Sequence, residues 1–448
     1  MGASFRRASG RVVNPRCGIC ERVGGVGVLF RKVLIVFILL LPFQDTLGSI
    51  LSSGNVWEWA FLADEGATLL LLLLFFVYAL HSQQRVRLTG GKTLALSVIV
   101  FVVIGLLSVI TSRVSWLQGA VGLYDYIKNL VVLYGVGVLR WERRELFVLL
   151  RGISTLVVIL ALAAIAGEVL AKSGLQSLLL VQLGEQRLGL YRATPLVGHG
   201  NANYLGMYAL LALTMTLLVA EKKQASKSVF PITLIFLTLS RQAWLGMVVL
   251  FLSLRRAFIA PMAVVLAVIF SLVWLERDLL LNPDAYFRLF TYMEAVKIWA
   301  AHPLLGAGPG MYGGVVSVTY GSPFYLGWPV YFQEFLEMTR GIDAFWPALL
   351  AETGVLGFSS FVMMWTALFG ALRRAGRAAQ LMRDNQLARV SIALRVYLVA
   401  LAVMCSFSGL NKAFITFTFF TLCGIYLSVV RSVVINAPNE RRVRGAER

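Results

Sequence analysis

Apolar runs recur along the whole chain at membrane-span spacing, and this pattern fixes the fold class before any motif is considered. Hydrophobic residues make up 58% of the 448 and charged residues only 14%, beyond what a soluble core of this size needs. The runs centre near Ile38, Leu73, Val103, Val132, Ile159, Leu213, Phe236, Val248, Val265, Met363, Ala400 and Thr421. They predict an all-α polytopic membrane protein of about twelve transmembrane helices. The expected organisation is a basic cytoplasmic segment over 1–32, nine helices over 33–275 with an outer loop near 171–203, a large extracytoplasmic loop over 276–343, three helices over 344–430 and a basic cytoplasmic tail over 431–448.

The chain carries 41 Lys and Arg against 22 Asp and Glu, a net charge of +19. With both termini inside, most of that excess falls in cytoplasmic segments, as the positive-inside rule expects. The runs from Arg140 to Arg144, Arg373 to Arg383 and Arg441 to Arg448 therefore read as topology signals and lipid-headgroup contacts, and no nucleic-acid partner is implied. The first apolar run follows a long basic stretch, which suits an uncleaved signal-anchor helix. Cys17 and Cys20 form a lone CxxC with no second pair of ligands nearby, while Cys405 and Cys423 lie in apolar spans, so no metal site is expected.

Arg241 departs from this lipid logic. Thirteen uncharged residues separate it from Lys227 and thirteen from Arg255. Each arm rises only about 20 Å as a helix, against a hydrocarbon core of roughly 30 Å. With both outer charges on one surface, Arg241 is held below the opposite one, where an ionised side chain needs a wet cavity or an anionic partner. The competing reading is an interfacial anchor reached by snorkelling stems.

Two outer segments are too polar for spans and too aromatic for linkers. The first contains Arg187, Arg192, His199, Asn201 and Asn203. The second opens on a helix start at Asn282-Pro283-Asp284, continues with Tyr286, Phe287, Phe290, Met293 and Ile298 at near-helical spacing, and stops at His302-Pro303. Such a helix would lie on the membrane surface with Arg288 among its few charges. Gly306-Ala307-Gly308-Pro309-Gly310 follows, either an anion-binding nest of backbone amides or a tight turn. Asp343 precedes the next span, as a helix cap or a reactive carboxylate. Glu352, about two and a half turns into that apolar helix, needs a cation, a hydrogen bond or a proton. His199 and His302 are candidate acids or bases, or simply loop residues.

Four segments in order resemble the O-antigen ligase and polymerase superfamily of bacterial envelope glycosyltransferases. They are Arg192 leading to Gly198-His199-Gly200-Asn201-Ala202-Asn203; Ser240-Arg241-Gln242-Ala243-Trp244-Leu245-Gly246; the Arg288 helix ending in His302-Pro303-Leu304-Leu305-Gly306-Ala307-Gly308-Pro309-Gly310; and Leu349 through Glu352-Thr353-Gly354-Val355-Leu356-Gly357. The resemblance implies a GT-C-like membrane glycosyltransferase on the outer face of the bacterial cytoplasmic membrane. Its donor would be a glycan on undecaprenyl diphosphate and its acceptor a glycan or glycolipid.

By position, Arg192 and Arg241 become the diphosphate clamp, with Arg288 a further candidate and Asn203 and Glu352 lining the substrate site. Asp343 stands where the family has a histidine that assists the acceptor hydroxyl. That departure leans away from a lipid A-core ligase, toward a polysaccharide polymerase or a ligase of another acceptor. With Asp343, His302 or His199 as base, a single backside displacement implies inversion, and arginines in place of a divalent cation imply no cofactor and no metal. Two alternatives stay open: a peptidoglycan-type polymerase using a lipid-linked donor, and a lipid-linked glycan flippase or transporter.

Overall fold

The computed structural model describes residues 18–43, 66–73, 90–112, 114–173, 186–187, 190–191, 193, 202–219, 226–254, 287–339, 341–342, 344–406 and 413–446. The elements are α1 (Gly18–Leu40), α2 (Lys92–Thr111), α3 (Trp116–Val138), α4 (Arg143–Lys172), β1 (Gln186–Arg187), β2 (Leu190–Tyr191), α5 (Ala202–Val219), α6 (Val229–Thr238), α7 (Arg241–Ser253), α8 (Phe287–Ala301), α9 (Val315–Thr319), α10 (Val330–Thr339), α11 (Phe345–Leu381), α12 (Asn385–Met404) and α13 (Ala413–Ala446). The two short strands pair antiparallel.

Among the described residues, six helices are long and apolar enough to cross a membrane, namely α2, α4, α5, α11, α12 and α13. They match the spans predicted at Val103, Ile159, Leu213, Met363, Ala400 and Thr421. The chain is an all-α, multi-pass membrane protein. The Phe236 and Val248 runs form only short helices, and the Val132 run is α3, which carries Asp125 and Lys128. The Ile38 run lies in α1 and the Leu73 run is described only over 66–73, while Val265 lies outside the described residues. One large core joins α1 to α7 with α11, α12 and α13. Cys405 and Cys423 are buried in it as free thiols.

Charge sorts by end. Arg143, Arg373, Arg374, Arg377 and Arg383 sit at one end of the bundle, where Arg374 donates to the Gly90 carbonyl at 3.2 Å and Arg31 pairs with Glu145 at 2.8 Å. The Gly-rich loop and the N-termini of α5, α7 and α11 gather at the other. Leu326 (80% exposed) marks the loop end and Leu381 (84% exposed) the basic end. An impermeant thiol reagent applied to intact cells is therefore expected to label Leu326→Cys and to leave Leu381→Cys unlabelled until the membrane is opened, in a background with Cys17 and Cys20 replaced by serine. Equal labelling of both positions would place both ends on one side.

α11 is not the continuous helix expected around Glu352. At Gly354 the backbone takes φ 63, ψ −171, a conformation essentially confined to glycine. The sequence reading missed this because an isolated glycine in an apolar run is normally carried inside a helix. The Gly-rich loop docks into the break: Ala307 N–H donates to Ala351 O and Gly308 N–H to Glu352 O, both at 2.9 Å, while Val355 N–H donates to Pro303 O at 2.9 Å and Leu356 N–H to Leu304 O at 3.2 Å. These four bonds satisfy backbone groups that a broken helix would leave open. A Cβ on Gly354 would also collide with the Leu304 carbonyl. Gly354→Ala is expected to cost at least about 3 kcal/mol from strain and collision together, read as loss of folded protein in detergent at temperatures where the native chain stays monodisperse.

The 287–342 segment carries its own core of Tyr312, Tyr325, Trp328, Phe332 and Leu336. α8 ends where the sequence predicts, at His302-Pro303, while the predicted start at Asn282-Pro283-Asp284 lies outside the described residues; its buried face is Thr291, Ala295 and Ile298, turned toward α11. α9 and α10, with a 3-10 turn at Pro323–Tyr325, were not anticipated in the second half of the loop.

Candidate functional site

Glu352 is 2% exposed and forms no ion pair among the described residues. It sits instead in a cradle of donors. Tyr312 N–H donates to Oε1 at 2.6 Å and Tyr126 O–H to Oε2 at 2.7 Å. The Gly-rich loop thus does meet an anion, through the Tyr312 amide alone, and that anion is the protein's own carboxylate. Other amides of the loop are occupied as well: Gly306 N–H by His302 O at 2.9 Å, and Gly313 N–H by the Tyr325 hydroxyl at 2.9 Å. A phosphate has no amide cluster left to bind there. That corrects the nest reading, which could not see a partner forty positions away.

Local sequence explains how the loop reaches this place. Gly122 on α3 lets the Gly310 backbone approach where any Cβ would collide with it. Gln118 donates to Gly310 O at 2.9 Å, and Ser108 Oγ donates to Leu305 O at 2.6 Å. Tyr312 O–H is fixed on Thr291 O at 2.6 Å, and the Tyr325 hydroxyl meets Ser317 Oγ at 2.6 Å. Burial pushes the Tyr312 and Tyr325 hydroxyls well above the ordinary phenol range, so both remain protonated donors at neutral pH.

Beside Glu352 lies a cavity of about 30 Å³, lined in part by Asp125, Gly313, Gly314, Ile342 and Ala344. It has room for a water or two. Asp125 pairs with Lys128 at 2.8 Å, with both side chains largely buried. Sequence reasoning passed over this pair, although an Asp and a Lys three apart within an apolar span were a usable signal. Asp343 itself lies outside the described residues, between Ile342 and Ala344, which both face the cavity. The N-cap of α11 is Ala344, with no side-chain bond.

The second cluster forms around Arg241. Leu239 takes a left-handed conformation (φ 48, ψ 34), and Ser240 caps α7 by accepting from Ala243 N–H at 3.3 Å. Arg241 is the first residue of α7 and half-buried. Helices of 10 and 13 residues flank the turn, rising only about 15 and 20 Å, so both arms are as short as residue spacing predicts. Gly206 of α5 admits the tip, since a Cβ there would lie 2.8 Å from Thr238 Oγ1 and 2.9 Å from Ala243 Cβ. Asn203 lies one turn earlier on α5, half-buried.

Arg192 and His199 lie outside the described residues, but Ala193, the residue after Arg192, donates its N–H to Leu237 O at 2.9 Å. Arg288 starts α8 and is half-buried. His302 is exposed; its backbone closes the end of α8, and its side chain does not line the cavity at Glu352. The two clusters share the end of α12: Phe345 N–H donates to Cys405 O at 3.2 Å, and the neighbouring Met404 packs against Gly246 of α7. No protein-family model matches this chain, and no curated protein is significantly similar to it.

Proposed function

We propose that this protein is a membrane glycosyltransferase, a polysaccharide polymerase or O-antigen-type ligase, that transfers a glycan from undecaprenyl diphosphate on the outer face of the bacterial cytoplasmic membrane. One observation carries the reading: the four segments of the resemblance meet two by two at the loop end of the bundle. Ala193 bonds to the α6 end that leads into Arg241, and Gly308 bonds to Glu352. Segments far apart in the chain are thereby paired at one end of the bundle. The finer picture, about twelve crossings in a GT-C-like arrangement, rests on the apolar runs outside the described residues as well as on the six long helices.

In this reading Arg241 and Arg192 hold the donor diphosphate, offering forked contacts and a charge that is not lost to proton transfer. Asp343 takes the proton from the acceptor hydroxyl as its oxygen bonds to the anomeric carbon. The bond from that carbon to the diphosphate oxygen breaks on the opposite face, inverting the configuration, and the arginines stabilise the leaving group. Glu352, held by Tyr312 N–H and the Tyr126 hydroxyl, sets the position of the loop and is not the base.

Asp343→Asn is expected to fold and bind the lipid-linked donor but to transfer at least about a hundredfold more slowly, the lower end of the range for loss of a general base. Asp343→His is expected to retain part of the activity. Wild-type transfer by Asp343→Asn would move the base elsewhere, and Asp125, which lines the same cavity, comes before exposed His302 as the next candidate. A second reading, a flippase or transporter of lipid-linked glycans, is favoured by the broken helix at Gly354, since discontinuous helices line transporter sites. Donor translocation without a transferred product in proteoliposomes would select it.

A further inference from the structure

At the basic end, the first turns of α4 and the start of α12 enclose a groove of about 530 Å³, lined by Arg143, Arg144, Phe147, Val148, Arg151 and Gln386. Among the described residues no carboxylate lines it. Arg143 forms one wall and is already fastened: it meets Asp384 at 3.2 Å and Gln386 Oε1 at 2.9 Å, and lies 5.5 Å from the centre of the Phe147 ring. Arg144 and Arg151 are different. Both are exposed, and neither has an ion pair or side-chain hydrogen bond among the described residues.

We propose that this groove binds the phosphate-bearing headgroup of an anionic membrane phospholipid. Arg151 stands eight residues after Arg143 on a membrane-spanning helix, about 12 Å along the axis. That places it below the headgroup plane, where an arginine requires an anion or a route back to water. Helical side chains lean toward the N-terminus, so Arg151 reaches back toward Arg144 and the two can share one phosphate. The residue types between them fit a lipid rather than a free ion: Phe147 and Val148 form an apolar shelf that can carry the glycerol and first acyl methylenes, and inorganic phosphate has nothing to place there. The first-turn amides of α4 add favourable dipole at the same point. The positive-inside rule requires only that charge be present on this side; it does not require a groove, a shelf or a pre-fastened wall.

The test uses the purified full-length protein, partly delipidated in neutral detergent and titrated with phosphatidylglycerol or phosphatidylcholine of identical chains while bound lipid is counted by native mass spectrometry. The wild type is expected to retain phosphatidylglycerol preferentially. Arg144→Gln with Arg151→Gln is expected to weaken that binding about 25-fold, since each basic residue near an anionic lipid surface is worth roughly fivefold. Val148→Glu, which leaves both arginines in place, is expected to weaken it as well, and provides a second reading if the double variant folds poorly. Arg389→Gln, another exposed arginine at the same end, is expected to bind as the wild type does. Undiminished phosphatidylglycerol retention in both groove variants overturns the site. Displacement of the lipid by millimolar inorganic phosphate overturns the lipid assignment and leaves a soluble-anion site.

Discussion

Arg241→Lys is expected to lower glycan transfer by about two orders of magnitude, with the protein still present in the membrane at its ordinary level. The position explains why so conservative a change should matter. Arg241 opens α7 at a turn recessed between helices of 10 and 13 residues, so its side chain works where little water competes for a diphosphate. A lysine keeps the charge but loses the planar fork that contacts two oxygens at once, and removing one well-placed donor from an anionic transition state typically costs about 100-fold or more. Stability should change little, because the cap of α7 belongs to Ser240 and the tip is held by Gly206. The measurement is the initial rate of product formation from a polyprenyl-diphosphate-linked glycan, normalised to immunodetected protein. A wild-type rate in Arg241→Lys would remove the clamp from the mechanism.

The second large effect is on stability. Glu352→Ala deletes the acceptor for Tyr312 N–H and Tyr126 O–H at a buried position. At roughly 1–3 kcal/mol for each of the two buried donors left unpaired, the variant is expected to lose about 2–6 kcal/mol and to release the Gly-rich loop. Limited proteolysis reads the outcome, with cleavage appearing within 303–314 under conditions where the native loop resists. Glu352→Gln keeps an acceptor oxygen and is expected to fall between alanine and wild type. If Glu352→Ala resists protease and heat as the wild type does, the cradle is not what holds the loop.

These two positions also show how far sequence reasoning reaches. Arg241 was legible because its constraint is metric: two charge-free arms of fixed length leave few depths for the residue between them. The α8 stop at His302-Pro303 was legible for a local reason, since proline ends a helix whatever surrounds it. For Glu352 the requirement was legible but not its solution. Burial demanded a cation, a hydrogen bond or a proton, and the donors came from Tyr126 and Tyr312, residues of other elements that no local pattern links to it. Gly354 hid for the same reason, because its break is tolerable only when Pro303 to Gly308 supply the missing backbone partners. Asp125 and Lys128 were visible all along as a charged pair inside an apolar run.

The repair of α11 by the loop has a consequence for biogenesis. Until Pro303 to Gly308 are in place, Ala351, Glu352, Val355 and Leu356 carry open backbone groups, and a helix in that condition is poorly tolerated by lipid. Synthesis runs in the favourable direction. The loop precedes α11 in the chain, so it can cross the membrane and fold around its aromatic core before the helix that depends on it leaves the ribosome. A circular permutation that reversed this order, with α11 made first and the loop last, would leave an incomplete span waiting in the insertion machinery, exposed to the quality-control proteases that remove such intermediates.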